Sequence, residues 1–219
     1  MRDSRLTPLG FYPTLQALDM SGNIRFCHPP GCRELDLSEE SFLNATLIDA
    51  KTEETIYSIR TDSSLIHGMR TTLVATHGRG TEEVAYITKG AVLHSDRIVF
   101  RGEEPMKLKD WMHKSTFTDP EQSMGNGLEK VRCTWDRVPN SPRTIALTTS
   151  HHPEPVAWYY PSVRSTNPPM PATLAIHPDG FAMQDTIVAS LMVLVQMDKA
   201  VNSRFAEVLP FMVSPTASI

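Results

Sequence analysis

Residues 187–197 read IVASLMVLVQM: nine apolar side chains in eleven, broken only by Ser190 and Gln196. No other stretch constrains the fold as strongly. A bilayer span takes about 20 apolar residues, and Asp198 and Lys199 end this run well short of that. A surface helix would carry a polar stripe, and none is present. Outside a membrane, a helix apolar on every face has to be enclosed by protein. The Ile and Val content would also suit a strand, but apolar residues continue through Ala200, Val201, Phe205 and Ala206 without a turn signal. That length predicts a helix over residues 186–205. Asp185 or Thr186 would cap it, with the acid against the positive helix end.

The enclosure has to come from the rest of the chain, whose hydrophobic period is mostly two. "FLNATLIDA" and "TIYSIRT" flank the polar "KTEE", and "TTLVAT" and "VAYITKG" flank "HGRGTEE", where Gly78 and Gly80 permit positive φ. "RIVFRG", "KVRCTW", "TIALTT", "PVAWYY" and "ATLAI" follow, each bounded by Pro, Asn, Gly or Asp. No helical segment separates them, so parallel βαβ units are excluded and an antiparallel sandwich or barrel is expected. A sheet closed around one apolar helix satisfies both halves of the sequence, because it removes the sheet edges and buries the helix. The expectation is a mainly β, closed antiparallel barrel around a hydrophobic C-terminal helix. One domain spans residues 23–209, with an N-terminal arm over 1–22 and a tail over 210–219. The arm could add an edge strand near "NIRF", residues 23–26.

Two further stretches resist a strand reading. Residues 103–129 form a long polar excursion with one short helix around Trp111 and an expected mobile second half. "PSVRSTNPPMP", residues 161–171, is expected to run extended over the surface.

Composition removes several function classes. A net charge of −4 gives no bulk attraction to nucleic acid. Three cysteines, Cys27, Cys32 and Cys133, form no disulfide framework and suit a reducing, cytoplasmic compartment. The N-terminus lacks the apolar core of a signal peptide. The eight histidines stand singly apart from His151 and His152, without His-x-x-x-His or Cys-x-x-Cys spacing. No metal or other cofactor is therefore expected, and the histidines read as solvent-exposed. Cys27 and Cys32 flank "HPPG", where His28 beside a thiol could make a nucleophile and base, but the prolines and glycine read as a turn. "HGRGTEE" lacks the Gly-Lys-Ser/Thr ending and following helix of a phosphate loop.

"NATLIDAKTEETIYSIRTD", "TTLVATHGRGTEEVAYITKG", "DRIVFRG" and "PATLAIHPDGFAMQDTIVASLMVLVQMDK" together resemble a fungal domain family of unknown function. That family is common in mushroom-forming fungi and is related to the Tubby C-terminal, LURP-one and phospholipid-scramblase folds. The resemblance covers roughly residues 40–205 and implies a twelve-stranded barrel closed around the C-terminal helix. It carries no catalytic signature. The scramblase pattern of clustered cysteines and a C-terminal membrane segment is not evident in this sequence.

One segment invites a binding reading. "PMKLKDWMHKS" interleaves Lys107, Lys109 and Lys114 with Met106, Leu108, Trp111 and Met112. Lysines near an exposed indole suit an anionic membrane interface; the bland reading packs Trp111 into the core and leaves the lysines as a solvated rim. Three function classes follow: a non-enzymatic intracellular binding module for a protein or a lipid headgroup, a weak peripheral phosphoinositide sensor, and an enzyme whose site is unrecognised. The first is preferred, with Lys107, Lys109, Trp111 and Lys114 as its candidate contacts.

Overall fold

The computed structural model describes residues 17–18, 24–25, 28–64, 68–78, 80–89, 95–120, 130–139, 141–165 and 167–206. Two short strands come first, β1 (Ala17–Leu18) and β2 (Ile24–Arg25). The first half of the large sheet follows: β3 (Arg33–Leu37), β4 (Ala45–Asp49), β5 (Thr55–Ser64), β6 (Gly68–His77), β7 (Gly80–Lys89), β8 (Arg97–Phe100) and β9 (Met106–Lys107). A single helical turn, α1 (Leu108–Trp111), leads into the second half. This comprises β10 (Met112–His113), β11 (Thr116–Thr118), β12 (Arg132–Val138), β13 (Ser141–Thr149), β14 (His152–Tyr160) and β15 (Ala172–Ile176). A 3-10 turn (Pro178–Met183) then runs into α2 (Gln184–Ala206).

The thirteen strands β3 to β15 form one antiparallel sheet in the order β10-β11-β12-β13-β14-β15-β3-β4-β5-β6-β7-β8-β9. Every pairing joins consecutive strands except β15 with β3, where Leu174 faces Leu35. The two edge strands, β9 and β10, are consecutive in the chain and linked by α1. The expected closure is not made: among the described residues no ladder joins β9 to β10. The reason is local. The linking residues are helical, with the Met112 N–H donating to the Leu108 carbonyl, and each edge strand is only two residues long. The resemblance implied twelve strands, and the sheet has thirteen.

The period-two reading holds where it was strongest. In β4, Ala45, Leu47 and Asp49 are buried and Thr46 and Ile48 are not, and β6 alternates in the same way from Thr71 to Ala75. Strand β3, "RELDL", hides Leu35 and Leu37 while Glu34 and Asp36 face outward. The "KTEE" turn is built by Asp49, whose Oδ1 accepts from the backbone N–H groups of Lys51 (2.9 Å) and Thr52 (3.2 Å). At the β6–β7 turn, Gly78 takes a φ of +55°, a conformation most side chains avoid. Gly80 does not share that role: it opens β7.

The enclosed helix is α2. Ile187, Val188, Ala189, Leu191, Met192 and Val193 are all buried, and they pack with Leu35, Leu47, Ile59, Leu73, Ile87, Leu147 and Leu174 of the sheet in one cluster. The helix begins at Gln184, so Asp185 and Thr186 lie in its first turn and do not cap it. The preceding 3-10 turn, opened by His177, runs directly into it. When that turn is included, residues Pro178–Met197 reach 20 residues at a mean hydropathy of 1.4, enough by length and composition to cross a membrane. Length alone therefore does not distinguish a span from a core. Burial does: 61% of its 18-residue apolar window is inside the protein.

Charged groups ring the N-terminal end of α2. Tyr57 donates its hydroxyl to Asp185, and the Gln184 amide donates to the Tyr57 oxygen at 2.8 Å. Arg101 pairs with Asp185 and Glu82, and Arg33 donates to Asp49 at 2.8 Å. Carboxylates at this end are favoured by the helix dipole. Burial pushes the Tyr57 phenol up, and the adjacent Asp185 carboxylate adds to the shift, so Tyr57 stays a donor.

Among the described residues strand β2 pairs with β1 alone, in a separate two-stranded sheet, and does not extend the large sheet as expected. The rest of the expected arm, and the tail over 210–219, lie outside the described residues, as do residues 121–129 of the polar excursion. The proline-rich connector does not simply run extended. Val163 and Met170 exchange two backbone hydrogen bonds of 3.0 Å, which fold it back on itself.

Candidate functional site

The basic segment singled out in the sequence spans the gap between the two sheet edges. β9 is held against β8, with Lys107 opposite Arg97 and Met106 opposite Ile98, and the Leu108 N–H donates to the Asp96 carbonyl at 2.9 Å. On the other side Met112 faces Phe117 and His113 faces Thr116 across β10 and β11. Lys114, at a positive φ of 57°, sits in the turn between them.

Trp111 is the residue whose place differs most from a membrane-interface reading. Its side chain is 6% exposed. Its ring packs against Phe100 at 5.0 Å and Phe117 at 5.4 Å between centroids, and its Nε1–H donates to the Thr118 carbonyl at 3.1 Å. An indole with both its face and its donor satisfied inside the protein locks α1 across the gap. It is not presented to an outside surface. Lys107, Lys109 and Lys114 are exposed.

Beside this turn lies a cleft of about 400 Å³. Leu108 and Met112 supply apolar wall from the segment itself, and Met197 supplies more from α2. Lys109, His113, Lys114, Ser95 and Asp96 complete its lining. Lys107 is not part of it. Met197 is where α2 passes from buried to exposed: Gln196 is 5% exposed and Met197 is 37% exposed. The sequence pattern contained Leu108 and Met112, but Met197 is distant in the chain and was not legible as a neighbour. Chemically, the cleft combines apolar walls with two lysines and one aspartate in its lining.

A larger open cleft of about 570 Å³ lies between the β3–β4 turn and the residue 162–172 loop. It gathers Glu39 and Glu40 against a single Arg164, and the Ser162 N–H donates to Glu40 at 2.9 Å. Its charge balance is the opposite one, two carboxylates against one guanidinium beside apolar Leu37, Pro169, Met170 and Pro171, so it does not suit an anion.

The other candidates resolve differently. Cys27 lies outside the described residues. Cys32 is buried, and burial first, then the Glu34 carboxylate, push its thiol up to about 11. Cys133 is pushed up to about 12 by burial and the Asp119 carboxylate. Protonated thiols are poor nucleophiles. The His28 Nε2 lies 3.2 Å from the Glu34 carboxylate. His151 is exposed, whereas His152 is not a free surface histidine: its Nε2 lies 2.8 Å from Asp179, which also contacts His177 at 3.0 Å. Sequence reasoning missed this grouping. Only the β14–β15 register, which sets Ala157 opposite Ile176, carries the 152–155 end of β14 toward the turn after β15. Among the described residues no group of three or more His, Cys, Asp or Glu is placed to hold a metal ion.

Residues 40–200, most of the chain, match a family of unknown function, DUF6593. The chain belongs to that family. The match runs from the β3–β4 turn through the first four turns of α2, so it takes in strands β4 to β15, the α1 gap and the buried helix together, and leaves out β3. No curated protein and no solved structure matches the chain.

Proposed function

We propose that the protein is a non-enzymatic binding module whose ligand is an anionic amphiphile, a lipid headgroup with the first part of its acyl chain, taken at the cleft beside α1. One observation carries this reading: the cleft pairs apolar walls of Leu108, Met112 and Met197 with Lys109 and Lys114 in its lining. Lysines near an anionic surface contribute on the order of 1 kcal/mol each, and the apolar walls add burial of a few methylenes at about 0.8 kcal/mol each. The net acidic protein opposes this at long range, and salt screens it within about 8 Å. Binding is weak and reversible. With Trp111 in the core, no indole anchor is invoked.

Kinship with the Tubby C-terminal, LURP-one and scramblase folds, and a fungal, cytoplasmic origin, belong to the same proposal. A thirteen-strand meander with one apolar C-terminal helix supports the first. The sequence resemblance and the two buried free thiols support the others. Fold kinship by itself assigns no ligand.

Vesicle flotation tests the ligand. Phosphatidylcholine vesicles with 5% phosphatidylinositol bisphosphate should retain the protein at low salt, and retention should fall several-fold at physiological salt. Retention should also fall several-fold in Lys109→Ala/Lys114→Ala, with Lys107→Ala having the smaller effect. If wild type ignores these vesicles at low salt, the lipid reading is wrong and a protein partner takes its place.

A further inference from the structure

The β3–β15 ladder ends where Leu37 faces Ala172. Beyond that pair one chain leaves as the 38–41 turn and the other arrives from the 161–171 connector, and the cleft of about 570 Å³ lies between them. Both walls are fixed by hydrogen bonds. The Ser38 Oγ accepts the Thr46 N–H at 2.9 Å on one side, and Val163 and Met170 exchange two backbone bonds on the other. The Ser162 N–H, donating to Glu40 Oε1 at 2.9 Å, ties the two walls together. The next residue of the turn, Phe42, sits at a φ of 51°, unusual for a bulky side chain. It is fully buried, and its carbonyl accepts from Gln196 of α2. The core thus holds the turn in place before any ligand arrives.

We infer that this cleft docks a short basic segment of a partner protein, one Lys or Arg flanked by apolar residues. Charge sets the sign. Two carboxylates, Glu39 and Glu40, stand against one guanidinium, Arg164, in the lining. The whole chain carries −4, which also favours a basic partner at long range. The apolar surface sets the rest. Leu37, Pro169, Met170 and Pro171 line the same space. A lysine or arginine covers such surface with its methylene stem while its head meets the carboxylates, and Met170 adapts to the neighbouring side chains. A bare inorganic cation would leave that wall uncovered. The volume lies within the roughly 300–1,000 Å³ typical of ligand sites, which limits the contact to a few residues. This cleft and the one beside α1 share no lining residue, so the two readings stand or fall separately.

The test titrates three N-acetylated, C-amidated tripeptides, Leu-Lys-Leu, Leu-norleucine-Leu and Leu-Glu-Leu, into ¹⁵N-labelled protein. Norleucine matches the lysine stem without its charge. The lysine peptide should shift the Ser162, Arg164 and Met170 amides saturably and leave those of Lys109 and Met112, in the other cleft, unmoved. The norleucine peptide should bind at least fivefold more weakly, and the glutamate peptide at least tenfold. Glu39 is exposed, so Glu39→Gln leaves the core untouched and should weaken the lysine peptide several-fold. Arg164→Ala should tighten it. No saturable shift at millimolar lysine peptide overturns the site. Equal binding of the norleucine or glutamate peptide, or weaker binding in Arg164→Ala, overturns the basic class. Butylammonium binding as tightly as the lysine peptide overturns the protein partner in favour of a small amine.

Discussion

The indole Nε1–H of Trp135 donates to the Ser190 hydroxyl at 3.0 Å in the buried interior. Ser190 in turn donates to the Ile187 carbonyl one helical turn back, at 2.9 Å. One of the two polar residues that interrupt the apolar run of α2 is thus the point where the helix is registered against β12. The other, Gln196, donates its amide to the Phe42 carbonyl at 2.9 Å. The interruptions are the polar fasteners of an otherwise apolar contact. Ser190→Ala leaves the Trp135 N–H buried and unpaired, and should cost about 1–3 kcal/mol in urea unfolding. Adding Trp135→Phe, which removes the donor, should cost less than the sum of the two single changes.

Acid sensitivity should trace in part to Asp49. Burial alone would raise its carboxyl; hydrogen bonds from the Lys51 N–H, Arg33 and the Thr52 N–H outweigh that and hold it below its ordinary 3.8. A carboxyl lowered in the folded state stabilises above its unfolded pKa, and that contribution is lost as pH falls through the folded value. The loss therefore falls below about pH 4. Asp49→Asn should lower stability at pH 7 by about 1–2 kcal/mol and flatten the acid limb of the stability curve. An unchanged acid limb would remove Asp49 from the account.

Gly180 sits where the 3-10 turn crosses the sheet. A Cβ there would meet the Val156 carbonyl oxygen at 2.9 Å, Ile176 at 3.1 Å and Ile187 at 3.2 Å. The first contact is backbone and cannot step aside. Gly180→Ala should therefore destabilise by about 1–3 kcal/mol, as overpacking does, read as a lowered urea midpoint.

The two described thiols should be silent in the folded state. With Cys32 pushed up to about 11 and Cys133 to about 12, both are protonated at pH 8, and both are buried. Mass-spectrometric mapping after brief iodoacetamide treatment should find neither labelled in buffer and both labelled in denaturing urea. Prompt native labelling of Cys133 would contradict the packing described around it.

What was legible in the sequence was whatever a single period could carry. Strand β6 shows alternation because one face is buried against α2 and the other is not, and the apolar stretch in α2 shows no stripe because every face is covered. Strand β3 was not among the strands read from the sequence, although its Leu35 and Leu37 alternate with Glu34 and Asp36. The open ladder was not legible either, since it depends on four residues, Leu108–Trp111, choosing a helical turn over a strand. Trp111 illustrates the limit at the site. A Trp among lysines reads the same whether its ring points out or in, and only the placement of Phe100, Phe117 and the Thr118 carbonyl decides. The cleft needed Met197, which the register of a buried helix brings to the segment from far along the chain.

The central claim is that α2 is the core around which the sheet is built, and a matched pair of substitutions tests it most directly. Leu191 is fully buried, whereas Met197 is 37% exposed, on the same helix. Thermal unfolding of Leu191→Asp and Met197→Asp should be compared with wild type in detergent-free buffer. The account predicts that Leu191→Asp loses its cooperative transition, because an unpaired buried charge costs several kcal/mol. Met197→Asp should retain the transition, with stability changed by about 0.5 kcal/mol or less. A Leu191→Asp protein that melts cooperatively at the wild-type Tm would contradict it.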